Sequence, residues 1–386
     1  MIPLSVPNLK GNELKYVTEA VEAEWVSTGG SFINKFESDI ANYLKTDQAI
    51  ATQSGTAGLH LALDLAEVKR ENEVIVPTLT FIAAVNPVRY IGAEPVFMDC
   101  DDTLNMDMNK LEKFCETECY ISDKGLVNKK TEKLIKAVIV VHVFGNMANM
   151  EKLMNIATKY KLKVIEDATE ALGTYYTSGK YSGKYSGTIG DFGVYSFNGN
   201  KIITTGGGGM LVAKDKDLAE RARYLSTQAK DDSLYYIHNE VGYNYRMTNV
   251  QAAIGVAQLE KLEEFIHTKK ANYELYKKNI DEIEGLSLLK FNENTRPNYW
   301  FYSLLIENEN YGFEMDSLLL KLNENSIQTR PIWGLIHNQS PYLGNQTYEI
   351  ENAKKYIDNV LNLPCSSNLN REEVLRVTDV LKNLNS

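Results

Sequence analysis

Three short segments of the chain hold residue types that could do chemistry together. Ser54-Gly55-Thr56 stands between a short apolar run, AIAT (49–52), and an apolar helical stretch, GLHLALDLAEV (58–68). The N-terminus of a helix has backbone N–H groups without partners and the positive end of the dipole, so it binds phosphate. Serine and threonine also occur there as ordinary caps, and no G-x-x-x-x-G-K-[ST] loop is present. Glu166-Asp167 ends the run KVIEDA (163–168). A carboxylate at the carboxyl end of a parallel strand points into the crevice where α/β proteins bind ligands. Once buried, such an acid must meet a cation or strong donor, or stay protonated. A protonated ring nitrogen would serve, as would a structural salt bridge. The third segment, GVYSFNGNKIITTGGGGMLV (193–212), places Lys201 after a strand-like run, with Ser196 and Asn198 before it and Gly206–Gly209 after it. Glycine runs permit positive φ and close backbone approach. G-x-G-x-x-G does not fit them, and they lead into a strand. A lone lysine is usually a solvated charge, but a buried one becomes an amine usable for Schiff-base chemistry.

A phosphate cradle, a buried aspartate and a buried lysine are together what pyridoxal 5′-phosphate (PLP) requires. The cradle anchors it, the acid keeps its ring nitrogen protonated, and the lysine holds its aldehyde and moves protons. Phe81 could stack on the ring; without the other parts it would read as a core aromatic.

The elements that must position these groups follow from the apolar pattern. Runs at 49–52, 74–78, 95–101, 134–145 and 163–168 alternate with helical stretches at 58–68, 80–92 and 150–162. Nearly continuous apolar strands are those of a buried parallel sheet, so the spacing predicts an α/β fold whose mostly parallel central sheet has helices on both faces. From 247 to about 280 the pattern is helical. Short strands and helices follow, ending in NREEVLRVTDVLKNL (370–384), with Asn370 as N-cap. The expected organisation is a large cofactor-binding domain at 12–250 and a smaller C-terminal α+β domain at 251–386, with residues 1–11 packed on the latter. SGKYSGKYS (178–186) reads as a surface loop or hairpin.

The 386 residues carry a formal net charge of −10, which argues against a nucleic-acid partner. No stretch reaches the roughly 18 apolar residues of a membrane-spanning helix. Of the four cysteines, Cys115 and Cys119 are spaced four apart on a predicted helix, and no second pair or histidine completes a metal set. All four read as reduced thiols of a cytoplasmic protein.

At these segments the chain resembles the DegT/DnrJ/EryC1/StrS family of sugar aminotransferases, which has the aspartate aminotransferase fold (fold type I). The resemblance spans nearly the whole chain through Ser54-Gly55-Thr56, VPTLTFIAAVNPV (76–88), VHVFGN (141–146), IEDATEALG (165–173), DFGVYSFNGNKIITTGGGGM (191–210) and GYNYRMTNVQAAIG (242–255). It implies that Lys201 carries PLP, that Asp167 pairs with the pyridine nitrogen, and that Gly55, Thr56 and Ser196 hold the phosphate. Phe81 would then stack on the ring. It further implies that Asn244 reaches the phosphate site of a neighbouring subunit, in a homodimer with shared active sites.

Two positions depart from the usual pattern. Glu170 stands where many relatives have His or Gln, and Gly207 where many have Glu. With QTRPIW (328–333) these features are similar to the subgroup making bacillosamine and legionaminic acid precursors. That implies transfer of an amino group from L-glutamate to C4 of a nucleotide-linked 2-acetamido-2,6-dideoxy-4-keto-hexose, with UDP and GDP both open. Arg330, Trp333 and His337 would line the sugar-nucleotide site, with Trp25 and Ser27 reaching it from the N-terminal side. Other relatives are PLP-dependent sugar dehydratases with histidine in place of the lysine, so Lys201 favours transamination. A non-catalytic sugar-nucleotide-binding relative would not need the lysine, the acid and the phosphate turn together.

Overall fold

The computed structural model describes residues 1–384. Its strands in chain order are β1 Ile50–Thr52, β2 Glu73–Pro77, β3 Glu94–Met98, β4 Cys119–Ser122, β5 Gly125–Asn128, β6 Leu134–Val141, β7 Lys163–Asp167 and β8 Tyr175–Tyr176. They continue with β9 Phe192–Ser196, β10 Gly209–Ala213, β11 Leu286–Leu288, β12 Thr295–Arg296, β13 Tyr302–Ile306, β14 Arg330–Pro331, β15 Thr347–Tyr348 and β16 Val360–Leu363.

The main sheet follows the order β1-β10-β9-β7-β6-β2-β3-β15, with the β4–β5 hairpin joined to β6. From β9 to β15 every pairing along that path is parallel. These strands are buried almost throughout, which is why β6 reads LIKAVIVV without a polar face. The parallel pairings need crossovers; helix Asn86–Tyr90 lies in the one from β2 to β3 and helix Met150–Tyr160 in the one from β6 to β7. The expected α/β architecture is thus present.

At the β1 end the sheet turns antiparallel. β10 pairs with both β1 and β9, and Ser196 lies opposite Gly209. The loop bearing Lys201 therefore leaves and re-enters the sheet on adjacent strands. Gly209 is required there, because a Cβ would fall 2.5 Å from the carbonyl carbon of Ser54.

A second, antiparallel sheet has the order β11-β13-β16-β14. The chain's first residues run along it. Ile2 bridges Ile327, and the Cys365 N–H donates to the Leu4 carbonyl at 2.7 Å. One apolar cluster continues from Ile33, Phe36 and Ile40 through Phe197 and Ile203 to Leu304 and Leu361, so it joins the helices around the main sheet to the second sheet. The terminal helix Arg371–Leu384 is capped by Asn370, whose Oδ1 accepts from the Glu373 N–H while Glu373 Oε2 accepts from the Asn370 N–H.

Two expectations of local structure need correction. The stretch 80–92 is not one helix: a 3-10 turn at Ile82–Ala84 is followed by a short helix, Asn86–Tyr90. Pro87 in the first turn of that helix has no N–H to extend a helix arriving from upstream. Cys115 and Cys119 do not share a helix, because the helix Met108–Thr117 ends before Cys119 opens β4. All four cysteines are buried free thiols, and burial raises each of their pKa values. No helix among the described residues is long and apolar enough to cross a membrane.

Candidate active site

A cavity of about 790 Å³ opens at the carboxyl ends of β7 and β9, beside the turn that follows β1. Its sheet-side wall is built from the three segments singled out by residue type. At the first, Ser54 caps helix Gly55–Leu65 by accepting from the Ala57 N–H at 3.1 Å. The N–H groups of Gly55 and Thr56 lie in the first turn, where the helix offers them no acceptor, and both residues line the cavity. Residue 55 has no room for a side chain, since a Cβ would lie 2.9 Å from Thr169 Cγ2 and 3.1 Å from Ser196 Cβ. That close approach seats the helix end against Ser196, so two N–H groups and a hydroxyl stand together at one side of the cavity.

The second segment holds two adjacent buried acids in opposite settings. Glu166, 0 % exposed, accepts from the N–H groups of Gly187 (2.8 Å), Ile189 (2.7 Å) and Gly190 (2.5 Å). It also accepts from His142 Nε2 at 2.9 Å; the Ala148 N–H donates to His142 Nδ1, which places the ring proton on Nε2. Asp167, 2 % exposed, accepts from the Thr169 N–H at 3.0 Å and lines the cavity. Strand alternation sends the two side chains to opposite faces. Burial raises the Asp167 carboxyl above the usual carboxylate range, opposed by its hydrogen bonds with Thr169 and, after them, by Lys201 and His142. It is an acid short of a cationic partner.

The third segment delivers Lys201 to the cavity. Its Nζ lies 3.5 Å from Glu170 Oε1, and its side chain is 13 % exposed. Glu170 is buried, and its other oxygen accepts from the Phe144 N–H at 2.8 Å. Burial raises the Glu170 carboxyl, opposed by Lys201. Phe81 also lines the cavity and is 54 % exposed.

The opposite wall comes from the N-terminal segment, the start of β13 and the region of β14 and β16. Ser5, Trp300, Gln328, Arg330, Trp333 and Asn362 are among its residues. Trp333 packs on Phe144 with ring centroids 4.6 Å apart. Arg330 is exposed and has no ion-pair partner among the described residues. Trp300, Gln328 and Asn362 were not singled out from sequence. Gln328 opens the QTRPIW segment but was not given a role, no motif marks Asn362, and the one signal for Trp300 is the aromatic run NYWFY entering β13.

Four expected site residues do not line this cavity. His337 is half-buried, with Nδ1 2.5 Å from Thr78 Oγ1, where it ties its loop to the end of β2. Trp25 and Ser27 are exposed in the break between the first two helices. Asn244 is also exposed. Its neighbours Tyr245 and Arg246 fix its segment against β1, through the Gln53 N–H to the Tyr245 carbonyl and through the pairing of Arg246 with the buried Glu37.

The donor set fits PLP part by part: N–H groups at a helix end with a hydroxyl for an ester phosphate, an under-partnered buried acid for a protonated ring nitrogen, and a lysine for an aldehyde. The crowding at Gly55 brings that helix end close to Ser196 and Thr169 at the cavity wall.

Comparison with known proteins gives a consistent result. The model of the DegT/DnrJ/EryC1/StrS aminotransferase family matches residues 7–382. The putative pyridoxal phosphate-dependent aminotransferase EpsN of Bacillus subtilis (strain 168) is 37 % identical over 388 residues, covering 99 % of this chain and 95 % of that protein. GDP-perosamine synthase of Escherichia coli O157:H7 is 37 % identical over 380 residues, covering 98 % of this chain and 97 % of that protein. Among solved structures, the aminotransferase TlmJ from Streptoalloteichus hindustanus superposes with a TM-score of 0.88 at 26 % identity, covering 100 % of this chain and 98 % of that one.

Proposed function

The chain belongs to the DegT/DnrJ/EryC1/StrS aminotransferase family, a PLP-dependent family of sugar aminotransferases, and from that premise we propose its reaction. It transfers the amino group of L-glutamate to C4 of a nucleotide-linked 2-acetamido-2,6-dideoxy-4-keto-hexose, a precursor of bacillosamine or legionaminic acid. The observation that carries the reading is the single cavity in which Lys201, Asp167 and the Gly55–Thr56 helix end face a second wall bearing Trp333 and an unpaired Arg330. A guanidinium without a carboxylate partner at a cavity mouth suits a diphosphate, and an indole suits a base or sugar face.

In this reading Gly55, Thr56 and Ser196 bind the cofactor phosphate, Phe81 covers the ring, and Asp167 holds the proton on the ring nitrogen. The bound cofactor supplies an electron sink for the carbon that loses its proton. Lys201 Nζ takes that proton and returns it at the adjacent position, so one amine serves as base and then acid. Glu170 stands beside Nζ and bears on its charge. The division near residue 250 separates the part that binds the cofactor from the part that closes over the substrate. Buried free thiols suit a reducing cytoplasm.

The active unit is a homodimer. Asn244 lies outside its own cavity on a rigidly held segment, and the preceding loop exposes Leu234, Tyr235, Tyr236 and Val241, a face suited to a second copy. Asn244 completes the partner's phosphate site, and Trp25, Ser27 and His337 act on substrate only through such assembly or loop placement. Mixing Lys201→Ala with Asn244→Ala protein tests this. In a shared-site dimer, random reassociation leaves about a quarter of the sites intact and restores activity, whereas self-contained sites give none.

The 37 % identity to GDP-perosamine synthase favours one competing substrate, a GDP-linked keto sugar lacking the acetamido group. Incubation with L-glutamate and either the UDP-linked 2-acetamido-4-keto sugar or a GDP-linked 4-keto sugar, with product mass as readout, decides between them. Amination of the GDP sugar alone overturns the acetamido assignment. Borohydride reduction of the yellow protein should place a phosphopyridoxyl group on the peptide containing Lys201.

A further inference from the structure

The amine of Lys201 does not project into open space. Its Nζ lies 4.1 Å from the centroid of the Trp300 ring and 3.5 Å from Glu170 Oε1. Trp300 is itself fixed by three groups. Its indole Nε1 donates to the carbonyl of Asn200, the residue before Lys201, at 2.8 Å. Its N–H donates to Asn298 Oδ1 at 3.0 Å, while Asn298 Nδ2 donates to the carbonyls of Glu170 and Leu172. Its carbonyl accepts from Lys269 Nζ at 3.1 Å. Lys269 is buried, and its ammonium also donates to the Cys365 carbonyl. One amide therefore ties the backbone of Trp300 to that of Glu170, and one buried lysine pins it from behind.

A ring face attracts an ammonium and has little hold on a neutral amine; a carboxylate discriminates the same way. We propose that Trp300 is a positioning residue that, with Glu170, holds the amine of Lys201 as an ammonium once it has taken the amino donor's proton. The proton taken from the amino donor then waits at one defined point, between indole and carboxylate, until it is returned. No proton is gained or lost overall. The proposal rests on Lys201 being the reacting amine.

The test uses the full-length enzyme loaded with pyridoxamine 5′-phosphate, the form in which Lys201 is free, with 13C-labelled lysine. Methylene protons next to Nζ and over an indole face are displaced upfield by the ring current. We expect one upfield lysine signal that is absent from Lys201→Gln, returns to the ordinary position in Trp300→Leu and persists in Trp300→Phe. Turnover should separate the same way. kcat should fall about tenfold in Trp300→Leu with KM little changed, and Trp300→Phe should retain most of it, as expected for loss and retention of a desolvated cation–ring contact. A wild-type spectrum without an upfield Lys201 signal overturns the proposal without recourse to any Trp300 variant. A Trp300→Leu enzyme that keeps the upfield signal and full kcat overturns it as well. Borohydride labelling of a different lysine would instead remove the reading of Lys201 as the reacting amine, and the spectrum would still report where Lys201 lies.

Discussion

The two walls of the cavity are built on different plans. On the sheet side, Asp167 and Ser196 sit on strands whose register to their neighbours is fixed pair by pair, and Ser54 is locked against Gly209. A side chain there cannot move without moving the sheet. Facing it, Arg330 stands on a two-residue strand, and Ser5 and Leu4 belong to the chain's first turn of backbone. Arg330 is exposed, whereas Asp167 on the sheet side is buried. A cofactor of constant shape suits the rigid wall. A substrate that differs between relatives suits a wall made of short segments, which can change without disturbing the core.

The largest test of that contrast is Asp167→Asn. Loss of the carboxylate should cut turnover by about a hundredfold or more, as for other removals of a charged group acting on the reacting system. It should also stabilise the cofactor-free protein. Burial raises the Asp167 pKa, so its folded-state penalty grows as pH rises from the unfolded value of about 4 through the folded one. The variant should therefore melt above the parent at pH 8, with the gap shrinking as pH falls toward the unfolded carboxylate value of about 4. Equal melting at every pH would show that Asp167 is not held short of a partner. Next in size is Arg330→Ala on the opposite wall. KM for the nucleotide sugar should rise about tenfold with kcat nearly unchanged, as for an interaction made equally in ground and transition states. A drop in kcat alone would place Arg330 in the chemistry and erase the division between walls. The smallest effect on turnover belongs to Glu166→Gln, which puts an amide N–H against backbone N–H donors. The melting temperature should fall, with a cost of about 1–3 kcal/mol for the unsatisfied donors. Activity per folded molecule should hold; a loss matching that of Asp167→Asn would give the two acids one role.

The rigid wall is also the part most legible in sequence. Local pattern carries Ser54-Gly55-Thr56, the acid after KVI, and a lysine ahead of four glycines, because each lies at the end of an apolar strand that can be seen directly. On the opposite wall Arg330 and Trp333 stand out only through the resemblance at QTRPIW, and its other residues leave no such trace. Trp300, Gln328 and Asn362 reach the cavity by tertiary packing from a region 100 or more residues beyond Asp167, and a tryptophan in NYWFY looks like core until Lys201 is placed against it. The helix expected at 80–92 is broken because the apolar spacing continues across Pro87, where the backbone cannot. The cysteine pair shows the same limit: four-residue spacing is helical only where a helix persists. Asn244 marks a different boundary, since its exposed side chain lies outside the cavity of its own chain.

The pairing of Glu166 with Asp167 has a consequence at the level of the gene. A strand counts in twos, and these neighbouring acids differ only in the face each receives. Loss of one codon within residues 163–165, with the chain before the gap held in place and the residues after it drawn back by one position, would leave both carboxylates in the protein. It would also exchange their destinations, sending the shorter acid toward Gly187–Gly190 and the longer one toward the cavity. The reading frame survives such an event and the composition hardly changes. The parity of the strand, and with it the reaction, does not survive.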